Sequence, residues 1–321
     1  MLKYIGRRLL LMIPVILGVT VIVFSIMYII PGDPAVAILG GEATPEALDA
    51  LRQQLNLYDP YIVRLGKYMY QVFIKLDLGE SYITGKPIIG DLIERFPNTL
   101  LLDVWCIIVQ LFVGVPLGIY AATHHNKVGD YGTMTFSLFG VSVPGFWLSL
   151  MMVLVFANIL GWLPPYGTGG WQYWVLPIVS TSVHGIGTQA RLSRSSMLEV
   201  LNSDYVIMAR SKGLSEARVI FGHALPNALI PVITTAGTAF GALFGGGMLV
   251  ETIFSIPGIG YYMVKSVNNR DFPAVQGSIL LLSIAFSIVI LITDFAMAMV
   301  DPRIKSQFAG RKTKKKTERE A

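Results

Sequence analysis

The sequence predicts an all-α membrane protein of six transmembrane helices, and three observations carry that prediction. Of 321 residues, 53% are apolar and 14% charged, with mean hydropathy +0.60, a balance outside that of water-soluble domains. The charges gather between apolar runs of roughly twenty residues, the length that crosses a hydrocarbon core. Basic residues are also unequally shared between alternate connections. Residues 1–8, 123–132, 191–227 and 301–321 hold 17 Lys/Arg against 7 Asp/Glu, whereas residues 31–98 and 251–273 hold 8 against 11. The positive-inside rule then puts the first set, and both termini, in the cytoplasm.

The net charge of +5 is spread in a way that argues against nucleic acid as a partner. Cys106 is the only cysteine, so neither an intrachain disulfide nor a cysteine zinc cluster can form. His124, His125, His184 and His223 lack metal-motif spacing and read as solvated or packed side chains.

In chain order, the basic residues 1–8 precede an apolar run over 9–30, the first span. Ala35-Val36-Ala37 has the form of a signal-cleavage site, but the run exceeds the roughly 7–15 residues of a signal core, so an uncleaved span is preferred. Residues 31–98 form a polar lobe. Thr44-Pro45-Glu46 has the cap, first-turn proline and early acid of a helix start, and Asp59-Pro60 repeats the device. From there Tyr61, Ile62, Leu65, Tyr68, Met69, Val72, Phe73 and Leu76 recur at helical steps. A short helix leads to Asn98. Gly79 to Lys86 resembles a phosphate-binding loop only superficially: the glycine gap is one residue too long, and Pro87 stands where Ser or Thr is required.

The second span covers 99–122, with Asp103 expected near headgroup water. The third covers 133–160, and Pro144, in Ser142-Val143-Pro144-Gly145-Phe146-Trp147, is expected to kink it. Pro144 and Phe146 are candidate hinge or pathway residues. Trp162, Pro164, Pro165 and Tyr166 mark an interfacial turn before the fourth span, 171–189. The fifth, 228–250, carries Gly237, Gly241 and Gly245 at four-residue intervals, a ladder for close helix approach and a second set of candidate pathway residues. Residues 251–273 form a second outer loop, 274–300 the sixth span with Asp294 near its inner end, and 301–321 a charged tail expected to be disordered beyond Phe308.

Residues 203–231, SDYVIMARSKGLSEARVIFGHALPNALIP, are a polar island between apolar segments. They read as two short helices meeting at Gly213, with Ser203 and Ser215 as caps and Pro226 limiting the second. This stretch resembles the EAA coupling loop of bacterial ABC-importer permeases. Ala209, Gly213 and Leu225-Pro226 match that pattern; Ile207 and Met208 depart from it, standing where Glu and Ala are usual. The likeness to the dipeptide/oligopeptide/nickel branch extends over nearly the whole chain. It is carried by YIGRRLLLMIPVILGVTVIVF and PGDP, by LDLGESYITGKPIIGDLIERFPNTL, which is similar to the outer insertion of B-type subunits, and by SVPGFW, LPPYG and ETIFSIPGIGYYMVKSVNNRDFPAVQG in order.

The resemblance implies a type I ABC-importer permease fold in a bacterial inner membrane: an N-terminal tail and span (1–30), an extracytoplasmic lobe (31–98), a five-span core (99–300) with coupling loop 203–226, and a cytoplasmic tail (301–321). It implies a non-catalytic subunit that binds no cofactor, partnered by a homologous permease, two cytoplasmic ATPases that bind ATP and Mg, a solute-binding protein and membrane lipid. Ala209, Arg210, Lys212, Gly213, Leu214, Glu216, Leu225 and Pro226 would couple to an ATPase, with Arg210, Lys212 and Glu216 forming ion pairs there and Ile207, Met208, Leu214 and Val219 giving apolar contact. Peptide cargo is the leading implication, and nickel or another small solute the alternative. An ion-coupled transporter would need intramembrane ionisable sites, for which only Asp103 and Asp294 qualify.

Overall fold

Backbone crossing a bilayer must satisfy its own hydrogen bonds, and here helices do so throughout. A computed structural model describes residues 2–40 and 43–300, so the expected tail, 301–321, lies outside the described residues. In chain order the helices are α1 (Leu2–Ile29), α2 (Pro34–Leu39), α3 (Pro45–Gln54), α4 (Tyr61–Phe73), α5 (Ile88–Thr123), α6 (Val128–Ser142) and α7 (Gly145–Met152), the last continued by a π-helical stretch, Val153–Ile159. Then come α8 (Gln172–Leu201), α9 (Asp204–Ser211), α10 (Glu216–Arg218) with a second π-helical stretch, Val219–Ala224, α11 (Leu225–Gly246), α12 (Met248–Ile253), α13 (Ile259–Asn268) and α14 (Phe272–Val300). Among the described residues there is no strand, only an isolated bridge between Glu80 and Pro87.

Four stretches are long and apolar enough to cross a membrane: Arg8–Ile29, Ile88–Thr123, Glu216–Gly246 and Phe272–Met297. A fifth is a bent pair, Val128–Ser142 with Gly145–Ile159, turned through 98°. That corrects the expected single span 133–160: Pro144 starts a new helix almost perpendicular to the first. Ser149 of α7 is held by the Ser180 hydroxyl of α8 at 3.0 Å. Helix α8 has 30 residues, about 45 Å; it is the more polar of the long helices because Ser180, Ser182, Gln189 and Ser193 are buried in protein.

Other boundaries also move. The expected short helix before Asn98 and the second span are one 36-residue helix, α5. Asp33 caps α2, an element absent from the sequence prediction, by accepting from the Ala35 N–H at 2.9 Å. Thr44 caps α3 as expected. Helix α4 stops at Phe73, and Leu76 is exposed at positive φ. The stretch 251–273, expected to be an outer loop, holds half of α12 and all of α13. Asp103 is 1% exposed, sequestered by protein rather than placed in headgroup water.

The chain divides into two compact units. One comprises residues 9–101 and 244–287 and is knitted by buried acids. Glu251 accepts from the Thr99 hydroxyl (2.7 Å) and the Tyr261 N–H (2.9 Å), and Thr99 Oγ1 in turn accepts from the Ile259 N–H (2.9 Å). Asp271 accepts from the Ser81 hydroxyl and the Tyr82 N–H. The other unit comprises residues 1–8, 102–243 and those from 288 on. Its helices approach closely at glycines: a Cβ on Gly187 of α8 would lie 2.6 Å from the Ser137 carbonyl of α6. Arg8 pairs with Asp294 at 3.0 Å, so the second in-span acid is neutralised.

Candidate functional site

The polar island forms an elbow. Helix α8 ends at Leu201, the extended Ser203 redirects the chain, and α9 runs to Ser211. The Ser203 hydroxyl does not cap α9; it donates to the Val200 carbonyl at 2.6 Å, and Ser215 also lacks a side-chain capping bond. The sharp turn follows at Gly213, whose φ is +78°. Nothing lies within 4 Å of a Cβ placed there, so glycine is required by the backbone alone.

The inner face of the elbow is a packed apolar cluster. Val206, Ala209, Val219, Ala224 and Ala228 bury against Ala122 of α5 and Met197 of α8, with Leu214 partly buried beside them. This explains the small residue at 209, which is 6% exposed. It also corrects the expectation for Val219: fully buried, it offers no surface to a partner. The outer face carries Tyr205, Ile207 and Met208, about half exposed, with Lys212 and Gly213 at the tip. Tyr205 carried no signal in the sequence prediction; its place on α9, one step before the buried Val206, is what sets it outward.

Arg210 and Glu216, expected to pair with a partner chain, here pair with each other through bonds of 2.7 and 3.2 Å. Arg210 also reaches the Leu201 carbonyl at 3.4 Å, near the end of α8. An exposed pair of this kind contributes at most about 1 kcal/mol, so it braces the elbow without locking it.

Pro226 does not end the second helix. The chain passes from α10 through the π-helical stretch Val219–Ala224 into α11, and Pro226 sits in the first turn of α11. Proline has no N–H to give and crowds the carbonyl four residues back, and a wider π turn accommodates both. Leu225 lines an apolar cleft of about 700 Å³ with Phe112, Ile119 and Leu229.

A second polar lock ties α8 to the short loop after α5. Asp130, buried at the start of α6, receives the forked guanidinium of Arg194, with Nη2–Oδ2 at 2.8 Å and Nε on the other oxygen. His125 Nδ1 (3.1 Å) and the Asn126 N–H (3.0 Å) complete its shell. An acid and an arginine in two separate cytoplasmic-type loops were the only sequence signal for this pair.

The candidate hinge and pathway residues scatter. Pro144 sits at the 98° break and Phe146 is half exposed. Of the glycine ladder, Gly237 meets Thr293 of α14, Gly241 is buried and Gly245 faces open space. No group of three His, Cys, Asp or Glu suited to a metal occurs among the described residues.

Residues 114–306 match the family described as binding-protein-dependent transport system inner membrane component, and residues 1–103 match the N-terminal region of such membrane components. The dipeptide transport system permease protein DppB of Alkalihalophilus pseudofirmus is 41% identical, over 95% of this chain and 100% of that protein. The glutathione transport system permease protein GsiC of Salmonella paratyphi A is 39% identical, over 95% of this chain and 99% of its own length. Among solved structures, a chain of the inward-facing MetNI methionine ABC transporter aligns with TM-score 0.58 at 18% identity, covering 67% of this chain and 99% of that one, a likeness of fold.

Proposed function

The chain belongs to the family of binding-protein-dependent transport system inner membrane components, and from that premise we propose that it is the permease subunit of an ATP-driven importer of di- or oligopeptides. The names of its relatives, for dipeptide and for glutathione, support peptide cargo. In this reading it forms the translocation pathway with a homologous second permease. Two cytoplasmic ATPase subunits bind ATP and Mg, and an extracytoplasmic solute-binding protein delivers cargo. Both termini are cytoplasmic, residues 31–98 form the outer lobe, and 99–300 form the permease core.

Residues 203–226 are the lever in this scheme. The observation that carries it is the two-sided elbow: apolar side chains outside, a dry cluster inside. The outer Tyr205, Ile207 and Met208, with Lys212 and Gly213 at the tip, seat in a cleft of one ATPase. Ala209, Leu214 and the cluster keep the elbow rigid, so closure of the ATPase pair moves it as a body. The motion leaves by two routes. One runs through Leu225 and Pro226 into α11; the other runs through α8 and the Arg194–Asp130 lock into α6. The test is reconstitution of the whole transporter with Met208→Asp. A charge on an apolar contact should abolish peptide uptake while leaving the membrane chain folded. Full uptake by that variant would contradict the assignment.

A further inference from the structure

Within the unit of residues 9–101 and 244–287 lies a cavity of about 930 Å³, a size typical of small-molecule sites. Its wall mixes aromatic rings with charges of both signs. Most of those charges are matched: Asp33 with Arg52, Lys67 with Asp59, and Asp77 with Gln71 and the Gly79 N–H. Among the lining side chains left without a hydrogen bond or ion pair to any described residue are Arg64, Glu80 and Gln276. Arg64 has no hydrogen bond or ion pair among the described residues; its guanidinium lies 5.3 Å from the centre of the Tyr28 ring with its N–H fork unspent. Glu80 has no side-chain partner among them either. Gln276 is 9% exposed, and its amide likewise has no hydrogen-bond partner among them.

We infer that this cavity binds a short peptide by its two charged ends, the α-carboxylate on Arg64 and the α-ammonium on Glu80, with Gln276 on a peptide group between them. The chemistry of each residue fits that ligand. A guanidinium fork matches a carboxylate through two parallel bonds. A carboxylate takes an ammonium, and a glutamine amide both donates and accepts, as a peptide unit does. Phe24, Tyr28 and Tyr68 give side chains an apolar wall that selects none in particular. Such a site reads the two termini and tolerates varied sequence between them. The inference rests on the peptide-import reading and makes the outer lobe a station for cargo.

The test uses the full-length chain in nanodiscs of phosphatidylglycerol, titrated calorimetrically with tri-alanine, N-acetyl-tri-alanine and tri-alanine amide. Tri-alanine should bind, and each cap should weaken binding by about tenfold or more, because a charged group of the protein is left unmatched. Glu80→Gln, at an exposed position without a partner, should lose discrimination against the acetylated form and keep it against the amide. Equal binding of capped and free peptide, or no binding of tri-alanine, would overturn the inference. So would binding of phosphoethanolamine but not tri-alanine, which would mark a lipid headgroup seat. ATP-driven uptake by the assembled transporter separates the two levels of the account. Uptake by Arg64→Gln and Glu80→Gln with unchanged KM overturns the site and leaves the import reading standing. Tri-alanine binding without any peptide uptake by the wild type supports the site and overturns the import reading.

Discussion

Replacing Gly213 tests whether the shape of the elbow matters apart from its contacts. At φ +78° an L-residue is penalised by its own Cβ against its own backbone, at about 1–2 kcal/mol and more when branched. Nothing else adds to that figure, since no neighbouring atom lies within 4 Å of the added carbon. A penalty of 1–2 kcal/mol lowers the population of one geometry relative to a close competitor roughly 5- to 30-fold. Gly213→Val should therefore misplace the tip in most molecules, Gly213→Ala in a smaller share, and Gly213→Asn least, because asparagine tolerates the left-handed region. The assay is peptide uptake together with ATP turnover by the reconstituted transporter. Uptake per ATP should fall in the order Asn, Ala, Val, while thermal stability of the isolated chain changes little. Wild-type uptake by Gly213→Val would refute the reasoning, and so would a loss of function in Asn equal to that in Val.

Three further outcomes follow from the packing and the buried charges. Arg194→Ala leaves the Asp130 carboxylate buried without its guanidinium and should destabilise the chain by about 3–5 kcal/mol, read as thermal unfolding in detergent; a shift near zero would show that the lock carries no load. Ala209→Leu overfills the inner cluster and should cost about 1–3 kcal/mol, whereas Ile207→Ala on the outer face should leave unfolding unchanged and weaken ATPase association. Burial, only partly offset by bonds from the Thr99 hydroxyl and the Tyr261 and Gly260 N–H groups, holds the Glu251 carboxyl above the ordinary glutamate range. The folded chain thus binds that proton more tightly than the unfolded chain. The stabilisation is complete below the ordinary glutamate value and is lost as pH rises through the elevated one. Glu251→Gln should flatten that part of the curve of thermal stability against pH, and an unchanged slope would contradict the assignment.

The spans were legible because an apolar run of the right length is a local property of sequence, and Thr44 capped its helix for the same reason. What the sequence could not reveal was set by partners distant in the chain. Pro144 signalled a bend, but its size, 98°, belongs to the packing of α7 on α8. A break was expected at Asn98, yet α5 runs through it, with Asn98 bonded to the Pro257 carbonyl and Thr99 to Glu251. In the elbow, the turn glycine was readable from the residues themselves, and the small residue at 209 and the contact role of Ile207 and Met208 only from the resemblance to the coupling loop. The inward direction of Val219 and the mutual pairing of Arg210 with Glu216 were not, because a three-residue helix running into a π turn breaks the usual 3.6-residue phase. The ladder spacing signalled close approach, but not that Gly237 meets Thr293, 56 positions away.

The most direct test of the lever is a single cysteine at position 208 in the assembled transporter, probed with a short thiol cross-linker while the native Cys106 remains buried. The account predicts a cross-link to an ATPase subunit that tracks uptake when nucleotide is cycled. A residue 208 that stays freely labelled by water-soluble thiol reagents in an actively transporting complex would contradict it.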